Sequence, residues 1–252
     1  MTKNSYLLIP STWTLPDELR LRLGSSVGRQ RFMIAGKDHL IVAHFVPEHD
    51  EVGRRGILFW RDASSEWRAS NGDPGKVALK QHLDRYAKRI EDFDQLESKA
   101  DKADDYLPIL EGLAPIVRSA RNLLEVLEEA RKAITEDRSL IDHRDRAYDL
   151  SRTADLLYED AKNSMDVAMV RKADEQAQAS HQMALASHRL NLLAAMFFPF
   201  ATLGAIFGTT LTDNWSWSQS PIPFLIYLVA GVMIGVVLMT FVVKSPKPRQ
   251  DP

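Results

Sequence analysis

No cysteine occurs in the 252 residues, so no disulfide, thiolate nucleophile or cysteine-bound zinc is available to this chain. Between Pro115 and Pro199 there is neither proline nor glycine. Those two residues are the usual helix terminators, and their absence over so long a stretch predicts long uninterrupted helices. A glycine-rich phosphate loop, a nucleophile elbow and a His-Glu-x-x-His zinc motif are missing too, so the chain is expected not to be an enzyme. The formal net charge of -2 comes without a basic stripe carrying interleaved aromatics, which argues against nucleic acid as a partner. Near the start, the run Tyr6-Leu7-Leu8-Ile9 stops at Pro10 and is too short for the apolar core of a signal peptide.

Charge itself is absent from residues 190–212, a segment holding Ala194-Ala195-Met196-Phe197-Phe198-Pro199-Phe200 and ending in Gly208-Thr209-Thr210-Leu211-Thr212. A helix rises about 1.5 Å per residue and a bilayer's hydrocarbon core is roughly 30 Å thick, so about 20 apolar residues span it. This run and a second at 223–243 are both long enough. The 26% of charged residues is concentrated before them. The expected layout is an α+β membrane protein with four parts. They are a strand-rich cytosolic part at 1–75, a helical cytosolic stalk at 76–188, a two-span transmembrane hairpin at 189–245 and a basic cytosolic tail at 246–252. His188 and Arg189 precede the first span and Lys244, Lys247 and Arg249 follow the second, whereas the loop between them holds Asp213 and no Lys or Arg. The positive-inside bias then places the protein in the cytoplasmic membrane as a multi-pass protein with both termini cytoplasmic, and Trp215 and Trp217 fit an outer interfacial anchor.

In the first part, β-type runs at 6–9, 31–34, 39–46, 56–61 and 66–70 are separated by turn chemistry at Ala35-Gly36-Lys37-Asp38 and Asn71-Gly72-Asp73-Pro74-Gly75. A helix is expected over 15–23. From Lys76 the period changes: Val77, Leu79, Leu83, Tyr86, Ile90 and Phe93 mark one face of a helix ending near Ala100. The next helix starts around Asp104, with Pro108 and Pro115 expected to bend or interrupt its first turns. A break is expected over 135–142, where Ser139 and Asp142 resemble an N-terminal capping pair. A last helix then runs antiparallel from about Leu140 to about Thr210, roughly 105 Å at the standard rise. Ala147, Ala154, Ala161 and Ala168 recur every seven residues, with Leu150 and Leu157 beside them. This small-residue seam implies a partner helix, either the preceding helix of the same chain or one from another subunit.

This sequence of parts, with Phe197-Phe198-Pro199-Phe200-Ala201-Thr202-Leu203-Gly204-Ala205-Ile206-Phe207-Gly208 in the first span, resembles the CorA family of divalent-cation channels. The likeness covers about residues 105–245. The family's span ends in Gly-Met-Asn, and Gly208, Thr209 and Thr210 stand at those positions here. The resemblance implies a homopentamer in the lipid bilayer, a selectivity mouth formed by Gly208, Thr209 and Thr210, and a pore lined by Ser187, Leu190, Asn191, Ala195, Phe198, Ala201 and Ala205. It implies transport of a divalent metal cation, Mg2+ first and Zn2+, Co2+ or Ni2+ otherwise, with no tightly bound cofactor. Five threonine hydroxyls would form a wider and less polar ring than five carboxamides. The alternative is a non-conducting CorA-like scaffold that anchors a helical interaction domain. Among the remaining candidates, His39, His44 and His49 alternate faces of a strand and make a poor metal site. His181 and His188 share a helix face that reads as solvated, with stacked histidine rings in an oligomer as the other reading. Asp101, Asp104 and Asp105 read as capping residues, against a regulatory cation site.

Overall fold

The structure is a computed structural model and describes residues 9–24, 26–48, 55–207 and 222–243. Two compact units divide the chain, Met1–Arg171 and Lys172–Pro252. Four strands form an antiparallel meander in chain order: β1 (Arg31–Ala35), β2 (Asp38–His44), β3 (Gly56–Arg61) and β4 (Trp67–Ala69). Pairing of Ala35 with Asp38 leaves Gly36-Lys37 as a two-residue turn, and Gly36 takes the positive φ of 58° that a type II′ hairpin asks of its first central residue. The helices are α1 (Asp17–Leu21), α2 (Gly75–Glu97), α3 (Ala103–Ala133), α4 (Ser139–Phe207) and α5 (Ile222–Val243). The run expected at 6–9 lies outside the described residues except for Ile9, which is in no strand and packs against the core beneath the sheet. The helix expected over 15–23 is the shorter α1.

Both faces of the sheet are covered, and for that reason β2 reads as an unbroken apolar run and not as an alternation. Ile41, Ala43, Ile57 and Phe59 face α2 and α3, while Leu40, Val42, Leu58 and Trp60 meet Trp13, Leu15 and Leu19 on the other side. His39 therefore sits on one face, stacked on Phe32. His44 is bonded elsewhere, its Nε2 lying 2.7 Å from the Gly28 carbonyl. Residue 49 lies outside the described residues, and among those described no cluster of three metal-ligating side chains occurs.

Of the face expected on α2, Leu79, Leu83, Tyr86, Ile90 and Phe93 are buried, whereas Val77 is 50% exposed, because at about 100° per residue it falls on the opposite side of the helix. Pro108 and Pro115 do not interrupt α3. Asp104 and Glu111, the residues four positions before the two prolines, lie on the exposed side of α3, while Ile109, Leu113 and Ile116 are buried beneath. Gly112 lets that burial happen, since a Cβ there would stand 2.4 Å from the Phe93 ring. The acidic cluster acts in part as a cap: Asp105 accepts the N–H of Lys102 at 3.0 Å and of Asp101 at 3.3 Å.

The reversal into α4 is capped by Asp137 and not by the expected Ser139–Asp142 pair. Asp137 Oδ1 accepts the Ser139 N–H (3.1 Å) and hydroxyl (2.7 Å) and the Lys76 ammonium (3.0 Å), and Oδ2 accepts the Trp67 indole N–H (2.8 Å). Burial alone would raise this carboxyl's pKa, but the bonds from Ser139, Trp67 and Lys76 outweigh it and hold the pKa well below the usual range. α4 then returns antiparallel to α3, with Arg121 forked onto Asp155 at 2.7 Å. Ala147, Leu150, Ala154, Leu157 and Ala161 are all buried in the same core as α3, and Ala168 packs at its edge. The seam's partner is thus the preceding helix of the same chain.

Replacing Asp137 by alanine strands the Trp67 N–H and removes the cap, and should cost about 2–4 kcal/mol in urea unfolding of the full chain. A second prediction concerns acid. The His82 ring is fully buried among Phe45, Phe59 and Tyr86, and burial, reinforced by Arg85, pushes its pKa down to about 3. Unfolded, the same ring takes a proton near the ordinary value of 6.5. Between those two values the unfolded state binds more protons. The stability this neutral ring allows is complete above pH 6.5 and declines on acidification by up to about 1.4 kcal/mol per pH unit. His82→Phe should flatten the fall in melting temperature between pH 7 and pH 4, and an unchanged slope would show that His82 is not its source.

Candidate functional site

In the second unit, the apolar end of α4 packs against α5 through small residues. Gly231 is buried, and a Cβ on it would meet the Phe200 ring at 2.7 Å. One turn on, Gly235 lies against the Met196 backbone, with its Cβ position 3.7 Å from the Met196 Cα. The Tyr227 hydroxyl donates to the Phe200 carbonyl at 2.6 Å, and the two rings meet edge to face at 6.1 Å. Tyr227, Gly231 and Gly235 stand four apart, so they form one stripe along α5. Gly231-Val232-Met233-Ile234-Gly235 is a small-xxx-small pattern in an apolar helix, the arrangement that lets two backbones approach closely. The pattern is legible in the sequence itself.

On α4 the face meeting α5 carries Leu192, Met196, Pro199 and Phe200, with Pro199 buried. Pro199 stands inside the helix, and the Thr202 hydroxyl donates to the Phe198 (2.9 Å) and Pro199 (3.1 Å) carbonyls just beyond it. At 100° per residue, Ser187, Leu190, Asn191, Phe198, Ala201 and Ala205 fall on the opposite side, and all six are exposed in the single chain. Leu190 is 67% and Phe198 68% exposed. Ala195 departs from this set: it is half-buried on the flank towards α5. Gly208, Thr209 and Thr210 lie outside the described residues, as do Trp215, Trp217 and the loop carrying them. His181 and His188 are exposed in the single chain. Among the described residues no helix is long and apolar enough to cross a membrane. In α5 the described side chains run unbroken only over 225–237.

No family model matches the chain, and no curated protein matches it. Among solved structures it is similar to the full-length CmaX protein, at 11% identity and a TM-score of 0.52, over 91% of this chain and 83% of that one. It is also similar to the complete CorA magnesium transporter from Methanocaldococcus jannaschii, at 13% identity and a TM-score of 0.47, over 91% of this chain and 86% of that one. The likeness to CmaX is one of fold. What is shared is a small antiparallel sheet backed by long helices.

Because the chain has no cysteine, the α4–α5 packing is open to a direct test. Met196→Cys with Gly235→Cys should form a disulfide within one chain on mild oxidation, whereas Phe198→Cys with Gly235→Cys should not. Adding Gly231→Leu, which drives a side chain into the Phe200 ring, should lower the yield of the first pair by more than half. Equal cross-linking of both pairs would contradict the assigned faces.

Proposed function

We propose that this protein is a CorA-like membrane transporter that moves divalent metal cations, Mg2+ first, through an axial pore formed by a homopentamer. The observation that carries the reading is the side of α4 that α5 leaves uncovered. Over the charge-free end of α4 it presents Ala201, Ala205 and Phe198, with Leu190, Asn191 and Ser187 below. A carboxamide such as Asn191 is costly against lipid and belongs against protein or water. Small side chains leave room on an axis, and rings of Phe198 and Leu190 would make narrow apolar constrictions that close by excluding water. The sequence supplies two charge-free runs for a membrane hairpin, and the fold shared with CmaX agrees with the family resemblance of the span.

In this reading Ser187, Leu190, Asn191, Phe198, Ala201 and Ala205 line the pore, Ala195 lies at its edge, and Gly208, Thr209 and Thr210 form the outer mouth. The cation is cargo, driven by its gradient and the membrane potential, so the protein is not an enzyme and needs no bound cofactor. Residues 1–75 and 76–188 form the cytosolic strand-rich part and stalk, residues 189–245 the hairpin and residues 246–252 the basic tail. The positive flanks place both termini in the cytoplasm. The threonines at the mouth also support a second reading, a CorA-like scaffold that has given up transport, because the ring of carboxamides that would hold a hydrated ion is absent.

Purified protein in proteoliposomes should pass Mg2+, and native mass spectrometry from mild detergent should show five copies. Thr210→Val, which keeps the shape and deletes the hydroxyl, should cut flux at least tenfold. Thr209→Met with Thr210→Asn should raise selectivity for Mg2+ over Zn2+, Co2+ and Ni2+. A monomer, or no flux of any divalent cation in any variant, would exclude the pore and leave the scaffold.

A further inference from the structure

At the elbow where α2 passes into α3, the first unit holds an open cleft of about 550 Å3, within the size range of small-molecule sites. Arg89, Phe93 and Leu96 stand on one face of α2 at i, i+4 and i+7, and Pro108 and Ile109 supply the facing wall from α3. The lining is mostly carbon. Leu96 keeps 51% of its surface exposed although Phe93 beside it is buried.

Arg89 is the one polar group on that part of the wall. Its guanidinium carbon lies 4.6 Å from the centre of the Phe93 ring, and among the described residues it makes no ion pair or hydrogen bond. A ring face holds a guanidinium in place but satisfies none of its N–H groups, so the fork stays open to a carboxylate or phosphate. The platform beneath is rigid, because the Phe93 ring fills the space a side chain at residue 112 would take. The acids of the cleft lie at its other end, in the first turn of α3, where Asp105 is engaged with the Lys102 and Asp101 N–H groups. Lys99 stands at that end as well. An anion entering the cleft is thus drawn to the Arg89 end and away from Asp104 and Asp105, with an apolar surface between.

We infer that this cleft binds a small organic anion with an apolar body, its carboxylate or phosphate held by the Arg89 fork and its body laid on Leu96 and Pro108, above the buried Phe93 and Ile109. The inference is independent of cation flux, since it concerns the first unit alone. The test is calorimetric titration of the full chain in detergent with 2-naphthoate, 2-naphthyl phosphate and, as the oppositely charged control, 2-naphthylmethylammonium. One saturable site per chain is expected for the anions and none for the ammonium. Arg89→Ala should weaken naphthoate at least tenfold, Arg89→Lys should weaken it less, and Pro108→Trp should abolish binding by filling the cleft. The circular dichroism of every variant should match the native chain. No saturable anion binding by the native chain, equal binding of the ammonium, or naphthoate binding that survives both Arg89→Ala and Pro108→Trp would overturn the site.

Discussion

The carboxylate of Asp137, only 7% exposed at its side chain, accepts hydrogen bonds from three elements at once: the indole of Trp67 in β4, the ammonium of Lys76 at the start of α2, and the backbone and hydroxyl of Ser139 at the start of α4. A charge taken so far out of water is tolerated only where its lone pairs are met, and here all four bonds are made. Removing any partner leaves the others facing a charge that they no longer balance. The chain between α3 and α4 is therefore fixed against the sheet and not free to choose its angle. The residues of α4 that enter the first unit's core inherit their rotational setting from this point, because an α-helix carries its phase at about 100° per residue.

A second buried polar group performs a similar service between the sheet and α3. The Gln30 side chain donates to the carbonyl (2.8 Å) and hydroxyl (3.1 Å) of Ser119 and accepts the His44 N–H (3.2 Å). Tyr86 from α2 reaches the same hydroxyl at 2.6 Å and donates to the His44 carbonyl at 3.1 Å. Apolar packing tolerates small slips of one helix over another, whereas a network of this kind has one satisfied arrangement and penalises the rest. The two networks and the Arg121–Asp155 fork set the register of α3 against both the sheet and α4, and the apolar core supplies most of the energy.

Legibility in the sequence followed the reach of each signal. The long helices were readable because glycine and proline are missing from 116–198, and the strands because Gly36 and the 71–75 turn bracket them. The alanine seam was readable as a packing face, but its partner was not, since periodicity identifies a face and never what covers it. The structure answers with α3, and Ala154 and Ala161 are fully buried there. Three features ran against local rules. Pro108 and Pro115 are carried inside a helix, with the residues four positions before each of them on its exposed side. Val77 is apolar but stands about 200° of helix rotation from Leu79, so it faces away from the sheet. The α4 cap comes from a residue whose other partners lie 70 and 61 positions away, and no local motif could announce it. On the apolar end of α4, the phase of the candidate pore residues could be written down from the sequence. Which side α5 occupies depends on Gly231 and Gly235, and Ala195 shows the difference, since it shares the apolar period yet belongs to the packed flank.

Between the two packed ends of α4 lies a stretch, 171–191, in which every side chain is exposed in the single chain. Among the described residues Arg171 pairs with Asp101 at its start, and with its side chains exposed the helicity of the stretch rests on composition. Ala173, Ala177, Ala179, Ala184 and Ala186, with Gln176, Gln178, Gln182, Met183 and Leu185, are strong helix formers, and no β-branched residue interrupts them. Such a segment adds one hydrogen bond per residue fixed to a helix already nucleated at both ends, which avoids the costly step of starting one. Within it, residues 176–187 carry no Asp, Glu, Lys or Arg, six of them are alanine or serine, short enough to let another helix approach, and Met183 has 71% of its surface exposed. A solvated helix that served only as a spacer would gain from opposite charges at i and i+4. The near absence of charge over 176–187 instead matches a helix that meets others of its kind, which is what the proposed assembly of five copies requires of this part of the chain.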